Sequence, residues 1–288
     1  MKNSKIIIVG ADFQFEEKSI LKKCVTSKID AEFLLLDDLE VRIGTKTEFA
    51  KKGTGIFKSF SGNEKFIIRR SRGNFEKLVA FVEILQKRKF VFSDSFRSIS
   101  TNLNKEIFLA TIESKILPHP PNSFFIEQGK KVSSKNLSFP MLSKPVLGRH
   151  GENIFIHEDL NSLQKTVDET SETLIVQKCL NIEAEFRVLV VGGKILGAVR
   201  KIPETGKRIA NYAAGAEFKK ADLPESLLNE SAKLCEAQEI DIGGVDIARD
   251  ENGNYFLLEI NRCPEFRAFQ KATDIDVAGE IVDFILKK

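Results

Sequence analysis

The chain has 288 residues, long for one core and short for three independent domains, with 42% hydrophobic and 30% charged side chains, an ordinary globular profile. A net charge of +3 is too small to rest nucleic-acid or membrane-surface binding on electrostatics, and the absence of a signal peptide or of an apolar run of about 18 residues argues against secretion and membrane spanning. Cys24, Cys179, Cys235 and Cys263 show no CxxC spacing, which argues against zinc or a disulfide framework and for a reducing, cytoplasmic setting.

The N-terminal third alternates strands and helices. Lys5–Gly10 reads as a short buried strand, followed by a helix near Glu16–Cys24 and a second strand at Glu32–Leu36. Phe66–Arg69 predicts a third strand, Phe75–Lys87 an amphipathic helix and Phe90–Phe92 a fourth strand. This alternation predicts a small parallel α/β domain over residues 1–95. Gly10-Ala11-Asp12 lacks the G-x-G-x-x-G spacing of a dinucleotide loop. Residues 41–62, rich in glycine and lysine, fit either a mobile loop or a small hairpin. Basic clusters at Lys22-Lys23, Lys51-Lys52 and Arg69-Arg70-Arg72 are interleaved with acids and read as solvated faces.

From Asn104 the pattern changes. Asn104–Leu117 reads as a helix closed by Pro118-His119-Pro120-Pro121. Strands follow at Ser123–Ile126, Phe139–Val146, Ile154–His157 and Leu174–Gln177, with a helix from Glu158-Asp159 to Asp168. Phe186–Val191 and Lys194–Lys201 are joined at Gly192-Gly193, a hairpin signal. Pro224–Gln238 and Ile275–Leu286 read as helices. The expectation is two lobes of mixed antiparallel α+β structure, residues 96–178 and 179–288.

The richest stretch is Gly243–Glu265, two strands around Asn252-Gly253, the preferred pair for a two-residue turn. Counting back from that turn puts Asp246 opposite Glu259. Alternation then places Glu259 and Asn261 with Asp246 on one face, and Phe256, Leu258 and Ile260, with Val245 and Ile247, on an apolar face. Like charges directly opposite destabilise a ladder. Three oxygen donors suit magnesium, which keeps the rest of its octahedron for water and phosphate oxygens. The alternative is a solvated face.

Other stretches carry weaker signals. Lys144 precedes a loop with Gly148 and Gly151, where a compact cation and closely approaching backbone N–H groups suit phosphate; His150 in that loop is either a ligand or merely solvent-facing. Gln177, Lys178, Cys179 and Leu180 form a strand-end linker that could face an adenine, or simply connect two lobes. Glu185 and Arg187 share a strand face. Arg200, Lys201, Arg208 and Asn211 supply cations and an amide suited to a transferring phosphoryl group or an acyl-phosphate oxyanion.

In order and spacing these residues resemble the ATP-grasp superfamily, and within it the RimK-like carboxylate–amine ligases. The resemblance runs from Asn104-Lys105 through KPVLGRHG (Lys144–Gly151), VQKCL (Val176–Leu180), EFRVLVVGG (Glu185–Gly193) and GAVRK (Gly197–Lys201). It continues through NYAAGA (Asn211–Ala216), GGVDIA (Gly243–Ala248), LEINRCPEF (Leu258–Phe266) and TDIDVAGEIVDFI (Thr273–Ile285). It implies two α+β lobes clasping ATP behind a small α/β domain. Lys105 and Lys144 are then the phosphate lysines, Gln177–Leu180 the adenine hinge, Glu185 the ribose carboxylate, and Leu258 a nucleotide contact. Asp246, Glu259 and Asn261 become magnesium ligands, with manganese an allowed substitute, and Arg200, Arg208 and Asn211 stabilise the acyl phosphate. The chain departs from many relatives in having Glu185 for aspartate, a lean glycine loop, and Pro264-Glu265-Phe266-Arg267 after the metal strand. That last run is similar to LysX-type ligases, which join an amino acid to the terminal glutamate of an acidic carrier protein.

The reaction so implied is phosphorylation of a carboxylate by ATP, followed by attack of an amine, with release of ADP and phosphate. Expected partners are ATP, a peptide, carrier-protein or metabolite carboxylate, and an amino-acid amine. Neither nucleic acid nor membrane is expected, and a homo-oligomer is allowed. Basic residues of the N-terminal domain and Arg267 would suit an acidic acceptor. The competing readings are a small-molecule kinase on the same architecture and a non-catalytic nucleotide-binding protein.

Overall fold

The computed structural model describes residues 4–42, 48–51, 60, 62–101, 110–135, 137–146, 153–202 and 217–288. The chain opens with β1 (Lys5–Gly10), α1 (Phe15–Thr26) and β2 (Ala31–Leu35), then a hairpin of β3 (Leu39–Arg42) and β4 (Glu48–Lys51). β5 (Glu64–Ile68), α2 (Phe75–Lys87) and β6 (Val91–Phe92) follow, and the sheet runs β2-β1-β5-β6, all parallel. Alternation divides its strands between two cores. Ile7, Val9, Phe66 and Ile68 pack with Leu78, Phe81, Val82 and Leu85 of α2. Ile6, Ile8 and Ile67 pack instead with Ile20 and Cys24 of α1 and with residues near the C-terminus. Both faces are covered, as a parallel sheet requires.

After α3 (Phe96–Thr101), a second sheet forms from β7 (Phe124–Ile126), β8 (Met141–Pro145), β9 (Phe155–His157), α4 (Leu160–Glu169) and β10 (Leu174–Lys178), in strand order β7-β10-β8-β9. A third holds β11 (Ile182–Val191), β12 (Lys194–Ile202), β13 (Glu217–Ala221), β14 (Ile242–Asp250) and β15 (Tyr255–Asn261), in antiparallel order β13-β12-β11-β14-β15. Helices α5 (Glu225–Ala237), α6 (Arg267–Thr273) and α7 (Val277–Lys287) complete the chain. One face of the third sheet carries an apolar core: Phe186, Val188, Val190, Val245 and Ile247 pack on Leu227, Leu234 and Cys235 of α5. The other face is divided, and that division makes the site. Leu189, Val191 and Val199 join Phe266, Phe269 and Ile281 in the core shared with the N-terminal sheet, while Glu185 and Arg187, further back along the same side of β11, are left for polar work.

The structure corrects several expectations. The helix foreseen over Asn104–Leu117 ends by Thr111 among the described residues; Ser114 Oγ accepts the N–H groups of Ile116 and Leu117, a local bond that competes with helix. Of the two alternatives open for residues 41–62, the described residues form the small hairpin, β3 with β4. The Arg69 cluster is not a solvated face. Arg69 is fully buried and donates to Glu17 Oε1 at 3.0 Å. α3, β13 and α6 had no counterpart in the sequence reading.

The key hairpin carries a compensated error. Its turn is a three-residue loop rather than Asn252-Gly253 alone: the N–H of Asp250 donates to Asn254 O and that of Gly253 to Asp250 O, both at 3.0 Å, and Gly253 has φ +82°. The Asp250 carboxylate accepts the N–H groups of Asn252 and Asn254, an Asx arrangement that captures the turn one residue early. Ile247 therefore faces Leu257, until a bulge at Leu258 restores Asp246 opposite Glu259. Leu257, not Phe256 or Leu258, joins Val245, Ile247 and Ile260 in the apolar core.

Candidate active site

Three neighbouring strands bring one row of charges together. Arg187 on β11 faces Asp246 on β14, which faces Glu259 on β15. In the adjacent row, Lys201 on β12 faces Glu185 on β11. Asp246 is 4% exposed. Arg187 Nε and Nη2 donate to its two oxygens at 2.7 Å each, and Lys201 Nζ donates to Oδ2 at 2.6 Å. Asn261 Nδ2 donates to Glu259 Oε1 at 2.8 Å.

These groups set one another's ionisation. Burial works against the charge on Asp246, but Arg187 and Lys201 outweigh it and hold the carboxyl below the usual range. Burial likewise opposes the charge on Arg187, and Asp246 overcomes it so that the guanidinium stays charged. Glu185 goes the other way. Burial, reinforced by Asp246 and Glu259, raises it despite Lys201. Glu185, Asp246 and Glu259 against Arg187 and Lys201 leave one excess negative charge, so the cluster suits a cation.

The donor set fits a hard divalent ion of the magnesium type. Asp246, Glu259 and Asn261 offer oxygens only, too few for a closed cage, so substrate and water oxygens would complete the shell. Among the described residues no group of three or more His, Cys, Asp or Glu side chains is placed to hold a metal ion.

Arg200 does not belong to this cluster. A two-residue turn at Gly192-Gly193 pairs Val191 with Lys194 and, extended unchanged, would set Arg200 against Glu185. A bulge at Leu196 shifts the register so that Lys201 takes that place. Arg200 lies opposite Phe186, exposed on the other face, and donates to Glu183 O at 3.3 Å. The sequence reading named Lys201 among the cations but not its contact with Asp246, and it missed the clamping role of Arg187. The shared parity of Glu185 and Arg187 was the one signal for the latter.

The second sheet presents the other expected residues. Lys144 pairs with Ile175 and Gln177 with Leu142, which puts Lys144 and Gln177 on one face. The opposite face, through Met141 and Val176, packs on Leu163 and Val167 of α4. The linker is firmly anchored: the N–H of Lys178 donates to Pro121 O and that of Cys179 to Pro140 O, while Lys178 Nζ binds the carbonyls of Ser138 and Phe139. Lys178 thus holds the linker in place with both its donors. Leu258 is half-buried at the bulge. Lys105, Gly148, His150, Gly151, Arg208 and Asn211 lie outside the described residues.

Comparison with known proteins bears on the family and the fold. A RimK-like ATP-grasp domain model matches residues 94–285. A probable alpha-L-glutamate ligase of Haemophilus influenzae (strain PittEE) is 26% identical over 172 residues, 57% of each chain. The glutamate–LysW ligase ArgX of Sulfolobus acidocaldarius is 30% identical over 157 residues, 51% of this chain and 55% of the relative. The chain thus spans little more than half the length of these curated relatives. Among solved structures, the ATP-grasp ligase PsnB complexed with a minimal precursor superposes with a TM-score of 0.74 over 99% of both chains at 18% identity. The macrocyclase MdnC of Microcystis aeruginosa MRC, bound with its precursor peptide, gives 0.75 over 99% of this chain and 100% of its own at 12% identity. These likenesses establish the fold expected from the sequence. No helix among the described residues is long and apolar enough to cross a membrane.

Proposed function

Because the chain belongs to the RimK-like ATP-grasp family, we propose that it is an ATP-dependent ligase joining a carboxylate to an amine through an acyl phosphate, with release of ADP and phosphate. The observation that carries this reading is the row Arg187–Asp246–Glu259, flanked by Lys201, Glu185 and Asn261, built within the matched span. A protein with no phosphate chemistry to perform has little reason to bury a carboxylate between two cations and set another opposite it.

Each residue then has a task. Lys144, with Lys105, holds the phosphates. The anchored Gln177–Leu180 linker borders the adenine and Glu185 accepts from the ribose. Magnesium, or manganese in its place, held by Asp246, Glu259 and Asn261, would supply charge neutralisation for the transferring phosphoryl group. Lys201, bonded to Asp246, takes the role given to Arg200, with Arg208 and Asn211 to complete the stabilisation of the acyl phosphate. Phosphoryl transfer to the acceptor oxygen expels ADP; the amine nitrogen then attacks the acyl carbon and phosphate leaves. The names of the two curated relatives favour glutamate as one reactant.

Substitution separates the two neighbouring cations. Lys201→Met lowers kcat/KM by about two orders of magnitude, the scale of losing one charge-stabilising donor in a buried site. Arg200→Ala, on the far face, changes it by less than about threefold. Steady-state ADP formation measures both.

The function itself is tested by product analysis with ATP, magnesium, pooled amino acids and glutamate-terminated peptides. ADP and phosphate rising together, only when both carboxylate and amine are supplied, is the expected outcome. ADP with a phosphorylated product and no phosphate would replace the ligase by a kinase.

A further inference from the structure

The open end of the β14–β15 hairpin is tied to the N-terminal sheet by one buried ion pair that the proposed reaction does not use. Arg262, which directly follows Asn261, is 5% exposed. Its Nη1 donates to Asp94 Oδ2 at 2.9 Å and to Ile68 O at 3.1 Å, and its Nη2 donates to Arg69 O at 3.0 Å. Asp94 follows strand β6, and its other oxygen, Oδ1, accepts the N–H groups of Asp241 and Ile242 at 2.8 and 3.2 Å. Asp241 returns the contact by accepting the N–H of Asp94 at 2.5 Å. One carboxylate therefore fixes the start of the strand that carries Asp246 and, through Arg262, the end of the strand that carries Glu259 and Asn261. It does so from the carboxyl edge of the N-terminal sheet, where β5 and β6 end.

Two further features belong to this knot. Asp94 sits at φ 61°, a left-handed conformation that aspartate adopts more readily than most side chains. Gly244, opposite Asn261, has no room for a methyl group: a Cβ there would lie 2.8 Å from Pro264 Cβ and 3.5 Å from Arg187 Cδ. The turn Asn261–Pro264 is thus pressed onto the row that holds Asp246.

We propose that the Asp94–Arg262 pair is a positioning device for the metal-binding end of the hairpin, so that affinity for a divalent cation–nucleotide complex depends on a residue of the N-terminal sheet. The proposal rests on the reading of Asp246, Glu259 and Asn261 as metal ligands. Linkage is reciprocal, so a ligand seated at the carboxyl edge of β5 and β6 that moved this pair would alter metal affinity, and the metal would alter that ligand's affinity by the same factor.

The test compares ADP binding by calorimetry, with manganese and with EDTA, on the full chain. Asp94→Asn keeps an acceptor for Asp241 and Ile242 but removes the charge facing Arg262. Arg262→Lys keeps the charge and loses the fork onto the carbonyls of Ile68 and Arg69. Thermal unfolding of each variant reports folding separately. Both variants are expected to weaken manganese–ADP binding roughly tenfold or more, the usual cost of losing a group that orients a ligand, and to leave metal-free ADP binding within about twofold. A merely structural pair would lower the unfolding temperature and leave the ratio of the two affinities unchanged; that result in both folded variants overturns the proposal. A wild-type protein that binds ADP no more tightly with manganese than without it would instead overturn the metal-site reading, and this inference with it.

Discussion

Asp246→Asn and Glu259→Gln are each expected to cut turnover by more than about 100-fold, and to do so for different physical reasons. Asp246 is held by Arg187 and Lys201 through three short bonds. Asparagine keeps the shape but leaves two buried cations facing a neutral amide, so the variant loses metal affinity and also stability, since removing one member of a buried ion pair costs about 3–5 kcal/mol. Glu259 is bound by Asn261 and by neither cation, so Glu259→Gln removes the ligand charge while leaving Arg187 and Lys201 neutralised. The expected pattern is loss of activity in both variants with a clear fall in unfolding temperature only in Asp246→Asn. Unfolding scans run beside the kinetics check it, and an active Glu259→Gln protein would remove Glu259 from the metal site.

Glu17→Ala is the largest stability effect expected away from the site. Glu17 and Arg69 form an ion pair whose side chains are 0% and 1% exposed, and Arg69 Nη2 also reaches Pro264 O at 3.4 Å. Deleting the carboxylate strands a buried guanidinium, an expected loss of about 3–5 kcal/mol in urea unfolding near neutral pH. The pH dependence has a definite sign. Burial resists ionisation of Glu17, but Arg69 outweighs it and the folded-state pKa lies below the ordinary value. Its contribution is therefore complete above the unfolded pKa of about 4.3 and is lost as pH falls through the folded value. The gap between wild type and variant should narrow on acidification below about pH 4. A gap that stays constant to lower pH would assign the loss to packing alone.

Much of this molecule was legible in its sequence because local pattern and tertiary need agree. Phe75–Lys87 is amphipathic and lies where expected, and the strands of the N-terminal sheet are short apolar runs that only a sheet covered on both faces can bury. Two of the departures share a physical source. A bulge adds a residue to one strand without a marker in composition, and two bulges decide this site. At Leu258 the bulge cancelled an equal error in the turn, so Asp246 opposite Glu259 was right although the path to it was not. At Leu196 a second bulge sets Lys201, not Arg200, opposite Glu185, a pairing across the strands that the sequence reading did not count out. Arg69 failed for a different reason: its partner Glu17 is 52 residues away, and a pairing at that separation leaves no local trace. The same holds for Arg262 and Asp94, which are 168 residues apart.

The central claim is that a substrate carboxylate is activated as an acyl phosphate. With whichever acceptor supports ADP release, its carboxyl group labelled with oxygen-18, mass spectrometry of the released phosphate tests this most directly. Transfer through an acyl phosphate places one labelled oxygen in each phosphate, because the bridging oxygen leaves with phosphorus when the amine attacks the acyl carbon. Unlabelled phosphate alongside amide product, or release of AMP and pyrophosphate, would contradict it.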